Sequence, residues 1–183
     1  MIQQELDRRI LDYKLELDWQ PINLKSLLTG AVQRYSQMAP PPNTKIVLSP
    51  VETETALIAN PIRLGQVMDN LISTAIKYLP PGSTTKVATQ KTQDGWPISV
   101  KDQGPGITPQ DRERLLKEFA RLSAQPTGGE KSTGLGLAIT RRIVEAHGGT
   151  IGVDSLPGQG AAIWFTLPSE DKTGITAEHT PPN

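Results

Sequence analysis

Asp102-Gln103-Gly104-Pro105-Gly106-Ile107 puts a carboxylate at the end of an apolar alternation, with Ile98 and Val100 before it at two-residue intervals. The pleat of a strand sets all three on one face. A carboxylate on a buried face needs a donor or a cation beside it, because an unpaired buried charge is costly. The exocyclic amino group of adenine is one such donor, and the flanking glycines let a group approach the backbone closely. An aspartate that only caps its own turn has the same spelling, so both readings stand at this level. A second stretch, Lys131-Ser132-Thr133-Gly134-Leu135-Gly136-Leu137-Ala138-Ile139, is a glycine-bracketed turn that runs directly into a helix. Its unpaired N–H groups and the helix dipole suit a phosphate, although Gly134 and Gly136 would also serve tight packing alone. The third is a polar arc of Arg63, Gln66, Asn70, Thr74 and Lys77, with Tyr78 at its border. Either it is a solvated helix face, or it walls a cleft. In a cleft, an amide and a cation would point at a metal-bound triphosphate while a tyrosine packs on a ring.

The elements that must hold these residues are written in the apolar spacing. The arc belongs to the best helix in the chain: Leu64, Val67, Met68, Leu71, Ile72, Ala75, Ile76 and Leu79 recur at helical intervals. Asn60 is its predicted N-cap, Pro61 its first residue, and Pro80-Pro81-Gly82 its stop. The glycine turn opens a second helix with Leu135, Ala138, Ile139, Ile143 and Ala146 on one face and Gly148-Gly149 at its end. Asp102 closes a strand predicted over Pro97–Asp102, hairpinned to Thr85–Lys91 around Asp94-Gly95. Upstream, the alternation of Leu15, Leu17 and Trp19 predicts a short strand broken by Pro21. Asn23 then caps a predicted helix over Leu24–Met38, and strands are expected at Lys45–Ser49 and Ala56–Ala59. Ile2, Leu6, Ile10 and Tyr13 form the stripe of an amphipathic helix entered midway, as in a piece of a longer protein.

Between Gly104 and Thr133 there is one helical patch, near Asp111–Leu122, and a connection of this length marks a lid or binding loop. Strands predicted at Thr150–Asp154 and Ala161–Leu167 turn at Pro157-Gly158-Gln159-Gly160, and the polar tail from Ser169 is expected to be disordered. Helices mixed with hairpins pack most simply as a two-layer α/β sandwich, with helices on one face of a mixed, mostly antiparallel sheet.

Composition removes several functions. Lysine plus arginine equals aspartate plus glutamate, 19 each in 183 residues, so no electrostatic footprint for nucleic acid exists. The absence of cysteine excludes disulfides, thiolate zinc sites and thiol catalysis. No apolar run approaches the roughly 18–20 residues of a bilayer span, and the first residues are no signal peptide. The chain is therefore expected to be cytoplasmic and to make no membrane contact of its own, whatever anchors its parent. Of its two histidines, His147 precedes Gly148-Gly149 at a helix C-terminus, where a cation would suit the dipole, and His179 lies in the tail.

Three signals fall in a fixed order: Arg63-Leu64-x-Gln66-Val67-x-x-Asn70-Leu71 leading to Ala75-Ile76-Lys77-Tyr78, then Asp-x-Gly-x-Gly-Ile from Asp102, then Thr133-Gly134-Leu135-Gly136-Leu137. In them the chain resembles the ATP-binding domain of sensor histidine kinases, whose N, G1 and G2 boxes they match. Leu115-Leu116-Lys117-Glu118-Phe119-Ala120-Arg121 is similar to the F box, and Ile143 to Gly149 and Phe165-Thr166-Leu167-Pro168 to the family's close. The resemblance spans roughly residues 22–168 and implies a Bergerat-type ATP site. Asp102 would read the adenine amino group, with Gly104, Gly106 and Ile107 shaping the base pocket. Tyr78 would pack against the base and Lys77 would reach a phosphate. Gly134, Leu135, Gly136 and Leu137 would present the helix N-terminus to the phosphates, under a mobile lid of residues 104–133. Asn70 matches the first asparagine of the N box. Thr74 stands where the pattern has a second, the usual Mg²⁺ ligand, so Asn70 and Thr74 are the candidate metal ligands, the hydroxyl being the shorter and weaker.

The implied organisation is residues 1–20 as the end of a dimerisation helix and its connector, 21–168 as the kinase domain and 169–183 as a tail. Neither histidine has the setting of the family's phosphoacceptor, which lies on an upstream dimerisation helix, so this chain supplies no catalytic histidine. The implied activity is transfer of the γ-phosphate of ATP, with Mg²⁺, to a histidine of that segment in a homodimer. A response-regulator receiver domain would then take it onto an aspartate. Thr74 keeps a second reading open, a catalytically weak nucleotide-binding or interaction module. The gyrase, chaperone and mismatch-repair branches carry a glutamate general base where this chain has Asn70, which argues against hydrolysis to water.

Overall fold

The computed structural model describes residues 15–38, 43–51, 56–115 and 135–169, with the backbone alone at Arg114 and Leu135. Strand β1 (Gln20–Asn23) ends on Asn23, which caps α1 (Leu24–Gln37) by accepting the Ser26 N–H on Oδ1 at 2.9 Å. Strands β2 (Lys45–Leu48) and β3 (Ala56–Ala59) lead to α2 (Pro61–Lys77). There Asn60 Oδ1 accepts the Arg63 N–H at 2.9 Å, and Pro61 occupies the first turn, where its missing N–H would have had no partner. Both caps fall where the sequence predicts them. Next come β4 (Thr84–Thr89), β5 (Gly95–Lys101), α3 (Pro109–Arg114), α4 (Leu135–Ala146), β6 (Ile151–Ser155) and β7 (Ala161–Pro168).

Five strands form one sheet in the order β2-β4-β5-β7-β6, parallel between β2 and β4 and antiparallel elsewhere, while β1 and β3 pair as a separate antiparallel ribbon. Helix α2 lays Leu64, Val67, Met68, Leu71 and Ile72 against Ile98, Val100, Ile163 and Phe165 of the sheet, all buried. Leu24 and Leu28 of α1 and Ile143 and Val144 of α4 complete that core. Each such side chain stabilises by roughly 1.5–3 kcal/mol when fully buried, so the α2 face is the main anchor of the helical layer. This is the predicted sandwich of helices on one face of a mostly antiparallel sheet. The outward face carries Lys86 opposite Lys101, and Trp164 lying over Gly152 with its Nε1–H donated to Asp154 at 2.8 Å.

Two prolines correct the predicted strand limits. Residues 15–19 alternate in burial as expected but pair with no strand among the described residues; the strand begins at Gln20 and runs through Pro21. A proline is tolerated there because, among the described residues, β1 has a neighbour on one side only. Pro97 lies inside β5 rather than at its start. Its carbonyl accepts the Thr89 hydroxyl at 2.9 Å on the β4 side, where the ladder has already ended at Thr89↔Ile98, so no N–H is needed. The patch expected near Asp111–Leu122 is described as α3 and Leu115. Its remainder, the stretch through Gly134, the stripe from Ile2 to Tyr13 and the tail from Glu170 lie outside the described residues. Among the described residues, no helix is long and apolar enough to cross a membrane.

Candidate functional site

Asp102 follows β5 immediately and is stitched to β7 by its own N–H, which donates to Ala161 O at 2.8 Å. Its Oδ1 accepts two backbone N–H groups, from Gly104 at 2.8 Å and Ala161 at 3.2 Å. Among the described residues Oδ2 has no partner, so the turn-capping reading and the ligand reading of this aspartate are compatible: one oxygen holds the turn and the other is available. Burial raises the carboxyl pKa above its ordinary value, and the two backbone bonds pull the other way.

A cavity of about 310 Å³ opens beside this carboxylate. Helix α2 contributes Thr74 and, just past its end, Tyr78; the loop after Asp102 contributes Pro105, Gly106 and Ile107. Thr108, Asp111 and Leu115 line the α3 side, and Ala161, Ile163 and Pro157 close it from β7 and its turn. A mostly apolar hollow with a few convergent polar groups is the usual form of a small-molecule site. Backbone contacts hold its rim. Gly106 has φ +75° and a Cβ there would lie 2.2 Å from the Leu156 carbonyl oxygen; Gly160 has φ +76° and a Cβ there would lie 2.1 Å from the Asp102 carbonyl oxygen. Only glycine fits either place. The same two loops are tied by Gly158 N–H to Pro105 O at 2.7 Å and Ile107 N–H to Ser155 Oγ at 2.8 Å.

The polar arc of α2 is not a solvated face, because Asn70, Thr74, Lys77 and Tyr78 are all half-buried. Asn70 Nδ2 donates to Gly136 O at 3.1 Å and to Thr140 Oγ1 at 3.2 Å, which fastens α2 to the first turns of α4. Thr74, one turn further along, faces the cavity. Helix α2 thus joins the Asp102 pocket to the start of α4, on the helical side of the sheet. Gly104 reaches the site through its bond to Asp102, and Lys77 does not line the cavity. Leu137 is buried in the core, so only its backbone is available to a ligand. Leu135 begins α4, and Gly134 lies outside the described residues.

Sequence reasoning passed over the α3 and β7 walls. Two signals could have found them: the three- and four-residue intervals of Thr108, Asp111 and Leu115, and the inward alternation of Ala161 and Ile163 beside Asp102.

No cluster of three or more histidine, cysteine, aspartate or glutamate side chains exists among the described residues. Mg²⁺ does not need one, since it keeps several waters and takes substrate phosphates with one or two protein oxygens. The Asn70 carboxamide oxygen, lying against Gly136, and the Thr74 hydroxyl, one turn on, fit such a water-shelled ion.

His147 has a structural role, but not as a cation. Its Nε2 accepts the Asn60 N–H at 3.1 Å, and its Nδ1–H donates to Ile143 O at 2.8 Å. A nitrogen that accepts carries no proton, so the ring is neutral, and burial lowers its pKa in agreement. Hydrogen bonds, with Gly149 N–H on Val144 O at 2.9 Å, satisfy this helix end where a charge was expected.

Residues 59–171 match the family described as histidine kinase-, DNA gyrase B- and HSP90-like ATPase. The chain belongs to that family. Among its relatives is the sensor histidine kinase GacS of Pseudomonas protegens, 37% identical over 177 residues that cover 92% of this chain and 19% of GacS. The sensor histidine kinase WalK of Bacillus subtilis is 34% identical over 163 residues, covering 88% of this chain and 26% of WalK. The chain thus spans a fifth to a quarter of the length of these relatives. The solved mycobacterial sensor histidine kinase MprB superposes with a TM-score of 0.67 at 27% identity, over 82% of this chain and 97% of that one. Full-length ShkA in complex with AMPPNP gives 0.71 at 28% identity, over 91% and 35%. Within the family this is the ATP-binding catalytic domain of the sensor-kinase class, whose members are ATP-dependent protein-histidine kinases. The comparisons give no support to the catalytically weak module that Thr74 had kept open.

Proposed function

We propose that this domain binds ATP with Mg²⁺ and transfers the γ-phosphate to a histidine on a dimerisation segment of the same protein. The full protein works as a homodimer in the cytoplasm, and a response-regulator receiver domain then takes the phosphoryl group onto an aspartate. The observation that carries the reading is the half-used carboxylate of Asp102 in an apolar pocket that α2 links to the start of α4. Asp102 Oδ2 accepts the adenine amino group, and Tyr78 and Ile107 pack on the ring. Asn70 holds α4 so that the N–H groups of Gly134, Leu135, Gly136 and Leu137 meet the phosphates, and Lys77 reaches them from the last turn of α2. Asn70 and Thr74 would hold Mg²⁺, which would supply charge neutralisation on the triphosphate. In the transfer a histidine nitrogen forms a bond to the γ-phosphorus while the bond to the β–γ bridging oxygen breaks, and ADP leaves with that electron pair. His147 is excluded as acceptor because it is buried with both nitrogens engaged. The folded unit is residues 21–168, which limited proteolysis would recover.

The test is to mix the chain with the phosphoacceptor-bearing segment of its parent and γ-labelled ATP. Acid-labile label on that segment's histidine is the expected result; nucleotide binding without transfer would refute the kinase assignment.

A further inference from the structure

Three separate parts of the chain meet at His147. Its ring closes α4 through Ile143 O, takes the N–H of Asn60 at the start of α2, and has Trp19 against it edge-on, centroids 5.2 Å apart and planes at 64°. Asn60 is itself held at three polar groups: its N–H is on His147, Oδ1 accepts Arg63 N–H and the carbonyl accepts Leu64 N–H at 3.0 Å. A ring held in one tautomer by two backbone partners cannot move without carrying α2 or α4 with it. Further along, Asn70 fastens the same two helices through Gly136 and Thr140. Among the described residues, helices α2 and α4 are therefore stapled at Asn60 and at Asn70, and the staple at Asn60 has a third member there. That member, Trp19, lies in residues 15–19, which pair with no strand among the described residues and are held there by the half-buried side chains of Leu15, Leu17 and Trp19 and by a hydrogen bond from Gln20 Nε2 to Asp18. A shift of this segment is free of any ladder among the described residues and reaches the His147 ring through Trp19.

We propose that the Trp19–His147–Asn60 contact couples the segment entering β1 to the placement of α2 against α4, and so sets nucleotide affinity from outside the nucleotide site. Trp19 and His147 are positioning residues; neither touches nucleotide. The proposal rests on reading the α2–α4 cleft as the nucleotide site.

The test uses the full chain, with AMPPNP affinity by calorimetry and the backbone amide signals of Asn60 and Gly136 by NMR. Trp19→Ala, checked for folding by thermal melting, is expected to weaken AMPPNP binding about fivefold or more, the usual scale of coupling between sites. It is also expected to shift the Gly136 amide in the nucleotide-free protein, while Trp19→Phe keeps both near the parent values. Gln at position 147 restores an acceptor towards Asn60, whereas Asn restores only the donor to Ile143. His147→Gln should therefore bind nucleotide more tightly than His147→Asn, and this pair decides the matter if Trp19→Ala fails to fold. A folded Trp19→Ala chain with unchanged affinity and an unmoved Gly136 amide would overturn the coupling. If the parent chain bound no adenine nucleotide, the site reading would fail instead, and the nucleotide-free Gly136 shift would still judge the coupling.

Discussion

At the scale of single residues, Asp102 divides its work between two oxygens, and the division can be measured. Asp102→Asn keeps an acceptor for Gly104 and Ala161 and removes a buried charge. Because the folded pKa is raised, this carboxyl's contribution to stability is present below its unfolded value of 3.8 and lost as pH rises through the folded value. At neutral pH it is a cost, so Asp102→Asn should melt no lower than the parent. Its affinity for ATP should nevertheless fall by about 1.5–3 kcal/mol, the worth of a hydrogen bond to a charged group, as calorimetry would show. His147 has the opposite sign. Its pKa is lowered from 6.5, so its contribution is intact above 6.5 and lost as pH falls through the folded value. Denaturant melts between pH 7 and 5 should show stability dropping with acid, and His147→Gln should remove that part of the slope.

At the scale of elements, the site is held by loops whose backbones touch. Gly106→Ala would force a side chain onto φ +75° and into the Leu156 carbonyl. It should cost more than about 1 kcal/mol, read as a lowered Tm, and loosen the pocket wall that Ile107 belongs to. The elements also show how far local rules reach. The caps at Asn23 and Asn60, the apolar face of α2 and the stop at Gly148-Gly149 were legible because each depends on neighbours within one turn. The strands around Pro21 and Pro97 were misplaced because a proline's effect depends on whether its side of the ladder is occupied, which the neighbouring strand decides.

At the scale of the whole molecule, nucleotide and fold are linked. A ligand at about 100 times its Kd stabilises by about 2.7 kcal/mol, so ATP should raise the Tm of the chain by several degrees, and the rise should fall by about half or more in Asp102→Asn. The sequence by itself determined the helical layer, the inward-facing strand that delivers Asp102, and the family, since all three rest on spacings of a few residues and their order. Only the tertiary structure decided which oxygen of Asp102 is already engaged, that Asn70 is bound to α4, and that His147 is neutral. Their deciding partners, Ala161, Gly136 and Asn60, lie 59, 66 and 87 residues away. A residue's spacing pattern reports on its own turn or pleat, while its hydrogen-bond partner is set by what the fold brings beside it.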